Sequence, residues 1–214
     1  MGYNSSPGPY RTGDRCYTGE GEELPVSGEG SLNLIYAGLN TSGVEMTKRR
    51  FIRKICLLGD GEVGKTSLVR RFVLDMFSDE YIKTFGTKVS KKVLDMGEVD
   101  LTLMIWDILG QKASSLHEAY YKGANGALLV CDLSRERTVN YLIRWRDDLC
   151  RVSGEVPIVL VANKSDLQWE IDRDRLAEIG ESLGEGFTIT SAKTGEGVEE
   201  AFLSIGVRIL EESD

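Results

Sequence analysis

One segment of the sequence has glycines, a lysine and a threonine at the spacing of a phosphate-binding loop. Residues 59–66 read Gly-Asp-Gly-Glu-Val-Gly-Lys-Thr, which satisfies the pattern G-x-x-x-x-G-K-[ST]. The backbone N–H groups of such a loop surround a polyphosphate, and the N-terminus of the following helix adds a partial positive charge. We expect Lys65 to neutralise terminal phosphates and the Thr66 hydroxyl to bind Mg²⁺. The predicted binding residues are Gly59, Asp60, Gly61, Glu62, Val63, Gly64, Lys65, Thr66 and Ser67.

A second polar segment contains groups that can recognise guanine. Asn163-Lys164-Ser165-Asp166 follows a buried apolar run, and the Asp166 carboxylate can accept hydrogen bonds from both the N1–H and the exocyclic amine of guanine. Adenine offers no such pair of donors. Asn163 can contact the other edge of the base, and the aliphatic part of Lys164 can cover its face. An ATP-using kinase or ATPase remains the alternative, which these residues oppose.

Two further motifs follow predicted strands. In Trp106-Asp107-Ile108-Leu109-Gly110-Gln111, the acid suits a water-mediated Mg²⁺ contact and the glycine amide suits a γ-phosphate. A backbone amide of Ser191-Ala192-Lys193 can meet the guanine oxygen while the side chains brace the pocket. Each of these two motifs alone is weak evidence. All four in this order, each at the end of a predicted strand, are not explained by coincidence.

From residue 50 onward, short apolar runs alternate with longer amphipathic stretches, which predicts an α/β fold with a largely parallel sheet. We expect the three-layer P-loop NTPase architecture, with about six strands, one antiparallel edge strand and about five helices. The predicted strands are 52–58, 89–94, 101–106, 127–131, 158–162 and 187–189, and the assigned helices are 65–74, 139–151, 173–183 and 198–210. On this architecture ligands bind beyond the carboxyl ends of the strands.

Composition narrows the class of protein. The 214 residues carry a net charge of −8, which opposes binding to nucleic acid or to an anionic membrane. No apolar stretch approaches the length of about 20 residues that spans a bilayer. Cys56 and Cys131 lie in apolar runs, so we expect reduced thiols, as in a cytoplasmic protein. We also expect the protein to be a monomer.

The first 47 residues differ in composition from the rest. They contain most of the prolines, more acidic than basic side chains and no sustained apolar period. Such a segment buries too little apolar surface to offset the entropy of ordering. We predict a disordered extension at 1–47 followed by a single nucleotide-binding domain at 48–214. Translation from Met46 is an open alternative.

The four motifs together resemble those of the Ras superfamily of small GTPases, from about residue 50 to about residue 210. The chain is most similar to the Rab branch. This preference rests on Trp106 before Asp-x-x-Gly, on Tyr81-Ile82-Lys83-Thr84-Phe85-Gly86 and on Thr190-Ser191-Ala192-Lys193-Thr194-Gly195. Because Glu211-Glu212-Ser213-Asp214 contains no cysteine for prenylation, one hypothesis is a prokaryotic or archaeal type of Rab-like GTPase.

The resemblance implies a Mg²⁺-dependent GTP/GDP switch that hydrolyses GTP to GDP and phosphate. It implies that Thr84 binds Mg²⁺ and the γ-phosphate, that Tyr81 closes over the phosphates and that Phe77 packs edgewise against guanine. Loss of the γ-phosphate would release the segments ordered by Thr84 and Gly110. The implied metal ligands are Thr66, Thr84 and, through water, Asp107.

The implied catalytic residues are Gln111, Lys65 and Gly61. Gln111 would orient the attacking water, and Gly61 would leave room for the γ-phosphate and an incoming arginine finger. Arg135 and Arg137 follow a predicted strand; we interpret them as part of a solvated charged loop rather than as an internal arginine finger.

Departures from the family pattern leave a second function open. Leu109 replaces a small residue beside the γ-phosphate glycine, Lys112 replaces an acid and Lys83 replaces a proline. The alternative is a GTP-loaded binding scaffold with negligible hydrolysis, favoured by Leu109 and opposed by Gln111. In either case we expect activating, exchange and effector proteins as partners, and contact with membranes only transiently, through such partners.

Overall fold

The computed structural model describes residues 10–12, 15–17, 48–77, 87–108 and 116–212. Contacts divide the chain between residues 47 and 48 into two units, which we describe separately. In the first unit, Tyr10–Thr12 (β1) and Arg15–Tyr17 (β2) pair as antiparallel strands. The remainder of 1–47 lies outside the described residues, so its disorder stays a prediction.

The second unit is built on a six-stranded sheet in the order β4-β5-β3-β6-β7-β8. Neighbouring strands are parallel except for the antiparallel pair of β4 with β5, as the sequence predicted. The turn at Met96 and Gly97 connects that pair. The strands are Arg49–Leu58 (β3), Thr87–Asp95 (β4), Val99–Ile108 (β5), Gly126–Asp132 (β6), Ile158–Asn163 (β7) and Phe187–Ile189 (β8).

Helices cover both faces of this sheet. They are Lys65–Leu74 (α1), Leu116–Tyr121 (α2), Arg137–Asn140 (α3), Leu142–Ser153 (α4), Arg173–Leu183 (α5) and Val198–Glu211 (α6). Only Tyr141 separates α3 from α4, so the described chain has five helical regions, the predicted number. The short helix α2 was not assigned from the sequence.

The predicted continuous helix over 139–151 is wrong in one respect. At Tyr141 the backbone N–H contacts the carbonyl of Val139 instead of one four residues earlier, and this interrupts the helix. The Tyr141 carbonyl then accepts from the amide of Trp145 and begins α4. Apolar periodicity continues through the break, which is why the sequence pattern did not reveal it.

Two hydrophobic cores flank the sheet. Residues of β5 alternate between buried and half-buried positions, whereas every residue of β6 and β7 is buried, because helices cover these two strands on both faces. One core includes side chains of α1 and α6, and the other includes side chains of α2, α4 and α5. Among the described residues, no helix is long and apolar enough to cross a bilayer.

Packing between α1 and α6 generates a prediction about stability. Phe202 is 1% exposed, and its ring stacks on that of Phe72 with centroids 4.0 Å apart. We expect Phe202→Ala to lower the free energy of unfolding by about 3–5 kcal/mol, because it removes buried apolar surface and leaves a cavity. Urea denaturation measures this value. The control Val207→Ala, at a 41%-exposed position of the same helix, should cost under about 0.5 kcal/mol.

Candidate functional site

The phosphate-binding motif forms the loop between β3 and α1. At Gly59 the backbone has φ of +138°, and an added Cβ would lie 2.1 Å from the carbonyl oxygen of Val130. At Gly64, with φ of +99°, a Cβ would lie 2.3 Å from the side-chain nitrogen Nδ2 of Asn163. Both positions therefore require glycine. Ser67 lies half-buried in the first turn of α1.

Lys65 is buried at the start of α1, and its ammonium lies across the loop. Its Nζ donates to the carbonyl oxygens of Gly59 at 2.7 Å and Asp60 at 2.8 Å. Burial lowers the pKa of Lys65 to about 8, although the charges of Asp107 and Asp60 oppose this shift. A negatively charged ligand at this position would favour the protonated lysine.

Thr66 and Asp107 bring the end of β5 to the phosphate loop. The Thr66 hydroxyl donates to Oδ2 of Asp107 at 2.5 Å. Oδ1 of the same carboxylate is buried and has no hydrogen-bond partner among the described residues. Burial raises the pKa of Asp107, although the bond from Thr66 and the charge of Lys65 oppose it. A hard cation such as Mg²⁺ takes oxygen ligands of this kind and keeps several waters, so these two residues fit it.

Asn163 joins the phosphate loop to the Ser-Ala-Lys loop. Its Nδ2 donates to the carbonyl of Val63 at 2.8 Å, while its Oδ1 accepts from the Thr190 hydroxyl and the Ala192 amide, each at 3.1 Å. The side chain thus braces two loops, in addition to the predicted contact with a base. The Ala192 amide donates to Asn163 and the Ser191 amide donates to the Glu196 carbonyl at 2.9 Å, so the contact of 191–193 with a base oxygen stays a prediction.

The two segments predicted to bind guanine, 163–166 and 191–193, are together called the base motif. Their remaining residues also lie at this edge of the sheet. The Ser191 hydroxyl donates to Asp166 at 2.6 Å, which fixes the carboxylate that should receive guanine. Lys164 has φ of +68°, and its ammonium lies 2.6 Å from Oδ2 of Asp132. Arg71 of α1 donates to the carbonyls of Ala192 at 3.0 Å and Lys193 at 2.7 Å. The two halves of the predicted site are thus held together.

Among the described residues, the side chains of Trp145 and Arg135, which lie outside every motif, form hydrogen bonds to the phosphate loop. Trp145 of α4 donates from Nε1 to Asp60 at 3.2 Å. Arg135 donates to the carbonyl of Gly61 at 2.9 Å and to Asp132 at 2.8 Å. The interpretation of Arg135 as part of a solvated loop was therefore wrong, because its side chain is only 22% exposed and its guanidinium donates to both Asp132 and Gly61. A charged loop gives no periodic signal that could have located it.

Several predicted residues are not brought into this geometry. Phe77 packs against the core that includes α1 and α6, and its contact with guanine stays a prediction. Tyr81, Thr84, Gly110 and Gln111 lie outside the described residues. The same holds for the departures Lys83, Leu109 and Lys112. Among the described residues, no group of three His, Cys, Asp or Glu side chains could hold a metal ion.

The bracing position of Asn163 predicts a large loss of stability on truncation. Asn163→Ala leaves the Val63 carbonyl and the Ala192 amide without their buried partner, so we expect a loss of about 2–4 kcal/mol in the free energy of unfolding. Urea denaturation without added nucleotide measures this value. Asn140→Ala, at an exposed position, is the matched control. Equal stability of the two variants would contradict a bracing role.

Comparison with known proteins adds independent information. Residues 54–211 match the Ras family. The chain is 36% identical to Ras-related protein Rab-21 of Homo sapiens over 76% of this chain and 74% of the relative. It is 37% identical to Ras-related protein Rab-7L1 of Mus musculus over 73% of this chain and 81% of the relative. It is 38% identical to Ras-related protein Rab-21 of Geodia cydonium over 74% of this chain and 71% of the relative.

These relatives confirm the resemblance to the Rab branch, and they give no support to the hypothesis of a prokaryotic or archaeal type. The family match includes residues of all six strands of the sheet, whose order and single antiparallel pair agree with the predicted fold. The chain belongs to the Ras family and is a GTP-binding, Rab-like small GTPase.

Proposed function

We propose that this protein is a Mg²⁺-dependent switch that binds GTP, hydrolyses it to GDP and phosphate, and presents nucleotide-dependent surfaces to protein partners. One observation carries the proposal: the buried Asn163 side chain bonds both Val63 of the phosphate loop and Ala192 of the base motif. A polyphosphate and a guanine base can therefore be held by loops that are fixed to one another.

The phosphate half of the site supports binding of the polyphosphate with its cation. Lys65 would exchange its bonds to loop carbonyls for bonds to phosphate oxygens, and the phosphate charge would raise the pKa of its ammonium. The Thr66 hydroxyl and, through water, Asp107 would hold Mg²⁺ together with Thr84. When bound, the cation would neutralise negative charge on the β- and γ-phosphates.

The base half supports selectivity for guanine. Asp166 is oriented by the Ser191 hydroxyl, so its second oxygen and remaining lone pairs can accept from the two donors of the base. Lys164 is held by Asp132, which leaves its aliphatic stem to cover a face of the ring. Phe77 would contact the ring from its edge.

Hydrolysis of GTP is the second part of the proposal. Gln111 would orient the attacking water, and Gly61 would leave space beside the γ-phosphate. Without an arginine supplied by a partner the reaction should be slow, so we also propose an activating protein, together with exchange and effector proteins. Thr84, Tyr81 and Gly110 would form the parts that respond to the γ-phosphate. The proposed location is the cytoplasm, with any contact with membranes transient and made through partners.

Base selectivity is tested by competition of GTP and ATP against a fluorescent GDP analogue. We expect ATP to compete poorly with wild type, and Asp166→Ala to lose at least about a hundredfold in affinity for GTP, because two hydrogen bonds to a charged acceptor disappear. Affinity for ATP should not change. Asp174→Ala, at an exposed position in α5, is the control. Equal affinities of wild type for GTP and ATP would contradict guanine recognition.

Hydrolysis is tested by single-turnover cleavage of Mg²⁺·GTP. We expect wild type to cleave GTP with a rate constant on the order of 10⁻⁴ s⁻¹, and Gln111→Leu to load normally but turn over at least about tenfold more slowly. The exposed Gln168 provides the control Gln168→Leu. A wild type that loads GTP without cleaving it would support the binding scaffold with negligible hydrolysis.

A further inference from the structure

Arg135 occupies the loop after β6 and connects this loop to the phosphate loop. Its guanidinium makes two hydrogen bonds, from Nε to Asp132 at 2.8 Å and from one terminal nitrogen to the Gly61 carbonyl at 2.9 Å. The other terminal nitrogen forms a longer ion-pair contact, 3.7 Å from the carboxylate of Glu62, whose side chain is 58% exposed. The fork of an arginine is suited to such simultaneous contacts.

Glu62 is the unusual residue of the phosphate loop. Its backbone has φ of +67°, a conformation that side chains other than glycine adopt at a cost in energy. Its carboxylate adds a negative charge to a loop whose amides should receive several negatively charged phosphates. Coulomb repulsion between these charges would weaken nucleotide binding unless a nearby cation offsets it.

Arg135 supplies this cation from a fixed position. Asp132 anchors the guanidinium: its side chain is fully buried, and it also binds the ammonium of Lys164 at 2.6 Å. Burial acts to raise the pKa of Asp132, but hydrogen bonds from Lys164 and Ser134 lower it below the ordinary value. The anchor is therefore charged at neutral pH.

We propose that Arg135 is a positioning residue for nucleotide retention: its bonds to Asp132 and to the Gly61 carbonyl hold the guanidinium beside Glu62, where it neutralises the carboxylate so that an acid-containing phosphate loop holds its nucleotide. This inference rests on the proposed function, since it takes GDP and GTP as the ligands. We assign Arg135 no contact with the γ-phosphate, because two nitrogens of its guanidinium already donate to Asp132 and Gly61.

The test measures release of a fluorescent GDP analogue from the full chain after addition of excess GDP. We expect Arg135→Gln to release the analogue about tenfold faster than wild type, because the Glu62 carboxylate is then unpaired. In Glu62→Gln/Arg135→Gln the rate should return to within about twofold of wild type, since the repulsion is gone. At about 0.5 M KCl, with a Debye length of about 4 Å, the effect of Arg135→Gln should shrink.

Matched variants separate this role from simple loop bracing. Arg137→Gln changes an exposed arginine two residues away and should leave release unchanged. Arg135→Lys keeps the charge and should restore slow release at least in part, even if Arg135→Gln lowers the melting temperature. The proposal is overturned if Arg135→Gln accelerates release of the analogue equally in the wild-type chain and in the Glu62→Gln variant.

Two other results would also overturn it. One is release from Arg135→Gln at the wild-type rate. The other is slower GTP cleavage with unchanged release, which would make Arg135 an internal arginine finger. If wild type fails to bind the GDP analogue, the proposed function itself is wrong. Normal loading of wild type with no effect of Arg135→Gln would refute this inference alone.

Discussion

The site depends on one buried side chain that must be fully hydrogen-bonded. Asn163 is 1% exposed, and a polar group at such depth costs free energy unless it has partners. Its partners belong to the phosphate loop at Val63 and to the segment after β8 at Thr190 and Ala192. Satisfying this amide therefore fixes the distance between loops that are far apart in the sequence.

Charge is the second constraint at this edge of the sheet. Parallel strands end side by side, so β5 and β6 bring the buried acids Asp107 and Asp132 to the edge of the sheet at which the phosphate loop begins. The two negative charges are compensated differently. Asp132 is paired with Lys164 and Arg135, whereas Asp107 keeps one oxygen without a hydrogen-bond partner among the described residues. This difference separates a carboxylate that serves as an anchor from one that suits a cation.

Much of the fold was predictable because its patterns are local. The bounds of α1, α5 and β8 agree with the sequence prediction, since glycines and an N-cap aspartate mark their ends, and the fully apolar runs of β6 and β7 are typical of covered parallel strands. The break at Tyr141 was not predictable, because the apolar residues on both sides of it keep helical spacing.

The sequence by itself determined the phosphate loop, the base motif and their order, because fixed spacing and glycine conformation are local properties. Only the tertiary structure decided that Arg135, Trp145 and Arg71 contact the two halves of the site. No motif contains these residues. Their roles come from strand order and helix packing, which bring distant segments of the chain to one edge of the sheet.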